Sequence, residues 1–549
     1  MAQLLLNRGV ETAADVGPFL QPQFKALFPP EALPGAEEAG QRLAAAARDG
    51  RKIVIYGDYD VDGITATTIL WHALKLAGAD VSFYIPSRLD EGYGLSIEAV
   101  EKLAAAGAKV LVTVDCGITA MEEARRAREI GLELIISDHH RPRSELPTAT
   151  TIVHPTAAGE SPNPDLSGAG VALKIAWALA QQQSGAARVS EAFRAFLMDA
   201  TAFAALGLIA DVVPLMGENR IITHYGLRHL CHTENAGLQA LLAVSGLLGK
   251  KSYDDYDVGF RLAPRLNAVG RMGHARLAVE LFTRAEDERA QEIATALDAA
   301  NRQRQEVERQ IVKQAEALVA ERGFDRESCR GIVLASPEWH PGVIGIVAAR
   351  LVDRFHRPAI MIALEAETGQ GSGRSVRHFP LHEVLQHCEQ HLTSHGGHAM
   401  AAGVRLRADQ VDAFTEAFVA EANQRLTAAD LRPKLHLDDE VPLDDVTSAA
   451  VDEIQRMAPF GTANPRPCLA TTAVELVEQP RVVGRNGQHL QFTVRQGRTY
   501  RKAIAFGRGE EAEPLGEQRL LQVAFEPIMN EWNGQRRAEL KVVDWKPAG

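Results

Sequence analysis

Lys52-Ile-Val-Ile-Tyr56, running straight into Gly57-Asp58-Tyr-Asp60-Val-Asp62-Gly63, is the stretch on which the fold turns. An apolar, branched run of this length has the pattern of a strand buried on both faces, and it ends on three alternating carboxylates. The arrangement recurs twice. Lys109-Val-Leu-Val-Thr-Val114 leads to Asp115-Cys-Gly117, and Leu132-Glu-Leu-Ile-Ile136 leads to Ser137-Asp138-His139-His140. The intervening sequence predicts helices over 64–77, 96–106 and 120–130. Such alternation implies an α/β fold built on a parallel sheet with right-handed crossovers. Ligands bind such sheets outside the carboxyl ends of the strands, where all three motifs fall. One site is therefore expected to gather at least four carboxylates and two imidazoles.

The donor types point to metal. Oxygen and imidazole ligands with no required thiolate suit Mn²⁺ or Mg²⁺ better than structural zinc. Clustered carboxylates repel one another unless cations neutralise them, and two bridged metals form a clamp for phosphate-ester hydrolysis. Asp58, Asp60, Asp62, Asp115 and His139 are the expected ligands, joined by Asp211 where the apolar run 202–210 stops before Val-Val-Pro214. Asp58-x-Asp60-x-Asp62-Gly63 also matches the opening of a calcium-binding EF-hand loop, but its twelfth position is Ile69 instead of Glu, and a strand precedes it where a helix belongs. An aspartate after a strand also serves as a helix N-cap, the competing role for Asp115. Asp138 reads as a group that orients a ligand histidine. His140 reads as ligand or general acid.

With 549 residues the chain calls for three or four domains. Its 46% apolar and 24% charged content is that of a soluble globular protein. No apolar run approaches the roughly 18 residues that span a membrane, and the start lacks a signal segment. Five scattered cysteines with no CxxC pair read as free thiols, and a cytoplasmic location is expected. The net charge of −12 argues against a uniformly basic surface, so any nucleic-acid contact must come from local patches. From Arg481 to Gly509 there is no acidic residue, while Arg481, Arg485, Arg495, Arg498, Arg501, Lys502 and Arg508 are interleaved with Phe492, Tyr500 and Phe506. Basic and aromatic residues on short strands suit a groove that tracks phosphates and stacks bases; a solvated sheet face over core aromatics would read similarly.

Along the chain, residues 1–50 read as a helical or irregular lead-in, 51–280 as the parallel-sheet domain with a loop at 147–167, and 281–325 as a connecting helix free of Gly and Pro from 286 to 322. A second α/β lobe is expected over 326–425, with strands near 331–335 and 359–363. Its glycine-rich stretches read as loops that bring backbone amides close to an anion. There Ser372, Gly373, Arg374 and His398 could hold phosphate. Short strands and turns fill 433–549.

These motifs resemble those of the DHH phosphoesterase family, named for the triplet present here as Asp138-His139-His140. Gly57–Gly63 is similar to its first motif, Asp115 to its second and Asp211 to a later aspartate. Gly371-Ser-Gly-Arg374-Ser375 and Gly396-Gly-His398-Ala-Met-Ala-Ala-Gly403 resemble its associated substrate-binding domain. Ala263-Pro-Arg265-Leu-Asn267-Ala-Val-Gly-Arg271, Trp339-His340-Pro-Gly-Val-Ile-Gly345 and Pro459-Phe-Gly-Thr-Ala-Asn464-Pro465 resemble the bacterial single-strand DNA exonuclease branch. Where many members carry a histidine four residues before the first ligand aspartate, this chain has Tyr56 before Asp60, with Asp58 as the substitute. The start at Leu4-Leu-Leu-Asn-Arg-Gly9 resembles a point slightly inside the usual one.

The resemblance implies a bacterial 5′-to-3′ exonuclease on single-stranded DNA, releasing mononucleotides with two Mn²⁺ or Mg²⁺ ions in repair and recombination. Asp115, His139 and His140 would be catalytic. It implies that Arg88, Tyr93, Arg265, Asn267 and Arg271 guide the strand, that Ser372, Gly373, Arg374 and His398 hold a terminal phosphate, and that the last domain is an OB-fold. Single-strand-binding protein and a repair helicase are the implied partners, and a monomer is expected. Two rivals predict other sequences. An enzyme for small phosphates needs no terminal strand-binding domain, and an inactive scaffold would have lost ligands that are all present.

Overall fold

The computed structural model describes all residues except 88–93, 158, 272–274, 533 and 549, so the expectations for Arg88 and Tyr93 lie outside the described residues. The three decisive runs become β1 (Ile53–Gly57), β3 (Val110–Val114) and β4 (Glu133–Ser137); β2 (Val81–Tyr84) and β5 (Thr151–Val153) flank them. All five are parallel, in the order β2-β1-β3-β4-β5. Alternate side chains enter two cores. Ile53, Ile55, Val110 and Val112 pack on one face among the helices Ala36–Arg48, Val61–Leu76, Gly168–Ser184 and Glu191–Ala210. Val54, Tyr56 and Leu111 pack on the other, under the helices Ile97–Ala105 and Met121–Glu129. Covering on both faces is why these strands read as unbroken apolar runs.

The stretch 147–167, expected to be loop, contains β5. Three β-branched residues suffice for an edge strand, and flanking Pro, Thr and Ala hide them from a periodicity reading. Glu191–Ala210 is long and apolar enough to cross a membrane by length and composition. Its second half, however, is buried in the first core, so its apolarity serves internal packing.

Asp287–Arg322 is one 36-residue helix. Its first half contributes Ala290, Ile293 and Leu297 to the first core, and its second half contributes Ile311, Ala315 and Val319 to that of the next lobe. The helix thus belongs to both lobes. The second lobe carries β6 (Ile332–Ser336), β7 (Ala359–Glu365), β8 (Thr368–Arg374), β9 (Ser394–Gly397) and β10 (Ala401–Arg407), in the order β6-β7-β8-β10-β9. Only β6 and β7 are parallel.

The terminal domain has β11 (Asp439–Glu440), β12 (Leu469–Leu476), β13 (Arg481–Val483), β14 (His489–Gln496), β15 (Thr499–Ala505), β16 (Leu520–Trp532) and β17 (Gln535–Pro547). The circuit β12-β16-β17-β15-β14 closes because β14 also pairs with β12, giving the five-stranded barrel of an OB-fold. The lead-in is not a unit of its own. Leu4, Leu5, Val10 and Phe19 enter the barrel core, whereas Ala36–Arg48 joins the first core. Arg8 fastens the start of the chain to the barrel domain with a two-pronged bond to Asp438 (2.6 and 3.2 Å).

Candidate metal centre and strand path

The strand order reverses between β1 and β3, and this switch point leaves a crevice at their carboxyl ends. Asp58, Asp60 and Asp62 leave β1 there, Asp115 leaves β3, and His139 and His140 leave β4. Asp211 enters from the end of Glu191–Ala210. Three overlapping sets have donor atoms close enough for one ion each: Asp58, Asp60 and Asp115; Asp62, His139 and Asp211; and Asp115, His139 and His140. The expected ligands are thus brought together.

Each carboxylate is set differently. Asp60 caps the helix Val61–Leu76, its Oδ1 accepting from the amides of Asp62 (3.0 Å) and Gly63 (3.1 Å). Asp62 is fully buried and accepts from the amides of Gly168 (2.5 Å) and Ala169 (3.0 Å), the N-terminus of another helix. Asp115 takes a left-handed backbone conformation at φ 61°, a strain of about 1–3 kcal/mol for a residue other than glycine. Two glycines let neighbouring helices come this close. A Cβ on Gly168 would lie 2.7 Å from that of Asp115, and one on Gly207 would lie 2.3 Å from Asp62 Oδ1.

Asp138 is spent on anchoring. Its Oδ1 accepts from the amides of His139 and His140 and from His140 Nδ1 (2.8 Å), and its Oδ2 from the Ile118 amide (2.9 Å). It therefore orients His140, not the ligand candidate His139. His154, which the sequence reading passed over, holds the backbone beneath them: its Nε2 meets His140 O at 2.8 Å while its Nδ1 accepts from the amides of Thr156 and Ala157. Histidine directly after a short strand was the available signal. Ser167-Gly168-Ala-Gly170 was missed too, although Ser before small residues is an N-cap signature.

Electrostatics fit divalent cations. Burial, with the charge of Asp60, pushes Asp62 up to about 6. Burial, with Asp62 and Asp60, lifts Asp211 to about 8, and burial and four neighbouring aspartates hold Asp115 well above the usual carboxylate range. Burial, reinforced by His140, lowers His139 to about 4. Its neutral Nε2 lies 3.1 Å from Asp115 Oδ1, 3.6 Å from Asp211 and 3.8 Å from Asp62, yet makes no hydrogen bond among the described residues. Burial opposes protonation of His140 as well, but the bond to Asp138 and the surrounding carboxylates outweigh it and raise His140 to about 9. A buried neutral imidazole facing carboxylates that repel one another is a donor set that a hard divalent ion would complete. Cys116 takes no part; its thiol points to Tyr56 O.

The other expected site residues make contacts of their own within the protein. Arg265 is engaged with Asp298 on the long helix (2.9 Å), and Asn267 accepts from the Val61 amide beside Asp60 (3.2 Å). Arg271 donates to Gly342 O of the second lobe (3.0 Å). Asn267 and Arg271 also line a cavity shared with Ala210 and Val212. Gly371–Arg374 and Gly396–Gly397 lie in strands, not loops. The Gly371 and Gly373 positions face inward, where a Cβ would strike Val404 and Ile360. Ser372 and Arg374 alternate to the other face of β8, within 3.2 Å of each other. They meet the start of the helix Ile344–Phe355, where a Cβ on Gly345 would lie 2.8 Å from Ser372 Oγ. His398 is exposed beside β9.

In the barrel, Phe492 is 1% exposed and belongs to the core, because alternation along β14 turns it inward; it is no stacking surface. Arg481 and Arg495 pair with Glu478 and Glu475, which a scan of 481–509 could not see. Arg501 donates to Val446 O. Arg485, Arg498, Tyr500 and Lys502 remain exposed.

Comparison with known proteins agrees along the whole chain. The DHH family N-terminal domain matches residues 52–202, the DHHA1 domain 330–424 and the RecJ OB domain 437–544. The single-stranded-DNA-specific exonuclease RecJ of Bacillus subtilis (strain 168) is 38% identical over 549 residues, covering 99% of this chain and 67% of the relative. That of Escherichia coli K12 is 32% identical, covering 98% and 94%. The crystal structure of RecJ with Mn²⁺ from Thermus thermophilus superposes with a TM-score of 0.83 at 31% identity, covering 99% of this chain and 75% of that one. The Mg²⁺ complex from the same organism gives 0.77 at 29% identity, covering 100% and 74%. With its metal-fitted crevice, its three matching domains and near full-length relatives, this chain belongs to the RecJ family of single-stranded-DNA-specific exonucleases.

Proposed function

We propose that the chain digests single-stranded DNA from the 5′ end, releasing 5′-mononucleotides, with two Mn²⁺ or Mg²⁺ ions held by Asp58, Asp60, Asp62, Asp115, His139 and Asp211. The observation that carries this reading is the convergence of these residues at the switch point in overlapping sets that share Asp115 and His139. Bound there, the ions would polarise the phosphodiester, lower the pKa of an attacking water and stabilise the leaving 3′ oxygen. The chain's own residues do the rest. Asp138 holds His140 protonated at neutral pH, so that His140 can donate a proton or a hydrogen bond at the reacting phosphate. Ser372 and Arg374, on β8 against the start of the helix Ile344–Phe355, supply a hydroxyl and a guanidinium that suit a 5′-terminal phosphate. The exposed Arg485, Arg498, Tyr500 and Lys502 would track the strand beyond it.

A role in repair and recombination, a cytoplasmic location, a monomeric state, and work alongside single-strand-binding protein and a helicase complete the reading. The test is digestion of a long single strand labelled at either end, with Mn²⁺ and then with chelator, using wild type and Asp115→Ala. Early release of labelled mononucleotide from the 5′ end alone, abolished by chelation and by the substitution, is expected. Release from the 3′ end first, or full activity of metal-saturated Asp115→Ala, would overturn the assignment.

A further inference from the structure

The motif Pro459–Pro465 has no part in the chemistry above, yet it is built with care. Asn464 is wholly buried, and its amide donates to Met457 O and Pro459 O, each at 2.8 Å. Gly461 and Asn464 exchange backbone hydrogen bonds of 2.9 and 3.1 Å. The resulting tight turn leaves the barrel domain and lands on the nuclease domain, where the Leu215 amide donates to Thr462 O at 2.9 Å. Leu215 packs so close to Gly461 that a Cβ there would lie 2.7 Å away.

Arg220, on the helix Gly217–His229, clamps this turn from behind. It is 2% exposed, and among the described residues no carboxylate lies within ion-pair distance of it. Instead its guanidinium donates to Ala458 O (2.8 Å) and Pro459 O (3.2 Å) of the turn and to Phe19 O (2.8 Å) of the lead-in, with the Phe19 ring 4.1 Å away. Burying a cation without an anion is costly. Apolar packing would hold the three segments together at less cost, but a planar fork with fixed donors also fixes their register. A rim contact acts in the same direction: Arg466 pairs with Asp255 (2.7 Å) and Asp254 (3.2 Å) over the Phe460 ring.

What the turn positions is a wall. Phe460, Gly461 and Thr462 line a cavity of about 410 Å³ together with Ala210 and Val212, the residues on either side of Asp211. Arg271, Arg304 and Asp255 are the charged groups in a lining that is otherwise mainly apolar, and Arg304 is paired with Glu308. We infer that Arg220 is a positioning residue for substrate: by fixing the 458–464 turn it sets the width of the cavity beside Asp211 through which the strand runs on from the metal centre toward the barrel. The inference rests on the exonuclease reading. Small misplacement of such a wall penalises substrates that must thread it and spares those that end at the metal centre.

The test compares kcat/KM for a 5′-phosphorylated 20-mer and a 5′-phosphorylated dinucleotide, in the full chain with Mn²⁺, for wild type, Arg220→Met and Arg466→Ala. Far-UV circular dichroism and melting check that each variant is folded. Arg220→Met should lose ten-fold or more on the 20-mer and less than three-fold on the dinucleotide. Arg466→Ala loosens the same turn from its half-exposed rim and should show the same length dependence at three-fold or more on the 20-mer; it carries the test alone if Arg220→Met does not fold. Equal losses at both lengths, no loss, or a larger loss on the dinucleotide overturns the inference. A wild-type chain that cuts neither length overturns the exonuclease reading together with it.

Discussion

At the residue scale the centre depends on side chains that are absent. Asp115 sits at a positive φ, a conformation its own sequence does not favour, and is kept there by the close approach of the helix that begins at Gly168. A methyl at Gly168 would fall within 2.8 Å of the Asp115 Cβ, Cγ and Oδ1 atoms. These are contacts the carboxylate can relieve only by moving, because the helix end is also fixed by its bonds to Asp62. Gly168→Ala should therefore lower turnover by about 100-fold, the order of effect of a misplacement near 1 Å, while shifting the melting temperature by only a few degrees. Digestion rates and Mn²⁺ titration calorimetry check this. An unchanged rate would mean that Asp115 is held by something other than this contact. Phe492 teaches the converse lesson. Its neighbours in sequence are basic, but strand alternation points it into the barrel, and chemistry inferred from composition must follow side-chain direction.

At the scale of elements, β8 explains how one strand can be both core and site. Its inward positions are glycines because β7 and β10 press against them, and its outward positions, Ser372 and Arg374, meet the helix Ile344–Phe355. If this edge reads a terminal phosphate, Arg374→Ala should cost about 2–3 kcal/mol of binding, a charge-assisted hydrogen bond's share. The loss should appear with 5′-phosphate ends and largely vanish with 5′-hydroxyl ends in side-by-side kinetics. Equal losses on both ends would remove the phosphate role. The long helix Asp287–Arg322 sets the distance between this edge and the metal centre. Its buried Glu308 joins Arg304 of the same helix to Arg350 of the second lobe.

For the whole molecule, the lead-in makes the two ends of the chain interdependent. Asp438 is held below the usual carboxylate range. Burial alone would raise it, but bonds from Arg8, the Cys468 amide and Asn7 outweigh that. A carboxyl group depressed in the folded state adds stability above its unfolded pKa of about 3.9 and loses it as pH falls through the lower folded value. The barrel domain should therefore loosen as pH drops below about 4, and Asp438→Asn should lack this part of the acid sensitivity while being less stable at pH 7. Unfolding midpoints measured from pH 3 to 7 test it; parallel profiles for the two proteins would sink the claim.

Sequence alone determined the parallel nuclease sheet, the metal-binding chemistry and the long helix, because each is local. Both-face burial leaves unbroken apolar runs, strand ends carry their ligands with them, and helix propensity accumulates over residues 286–322. The ordered motifs also sufficed to place the second lobe and the terminal OB-fold by resemblance. Only the tertiary structure decided that Asp138 serves His140, that Gly168 and Gly207 make room for Asp115 and Asp62, that the lead-in divides between the barrel core and the first core, and that Arg220 ties Phe19 to the Pro459 turn. These depend on pairs far apart in the chain, such as Arg8 with Asp438 and Arg220 with Ala458. A contact between distant residues is fixed by the packing of whole elements, and no single stretch of sequence records it.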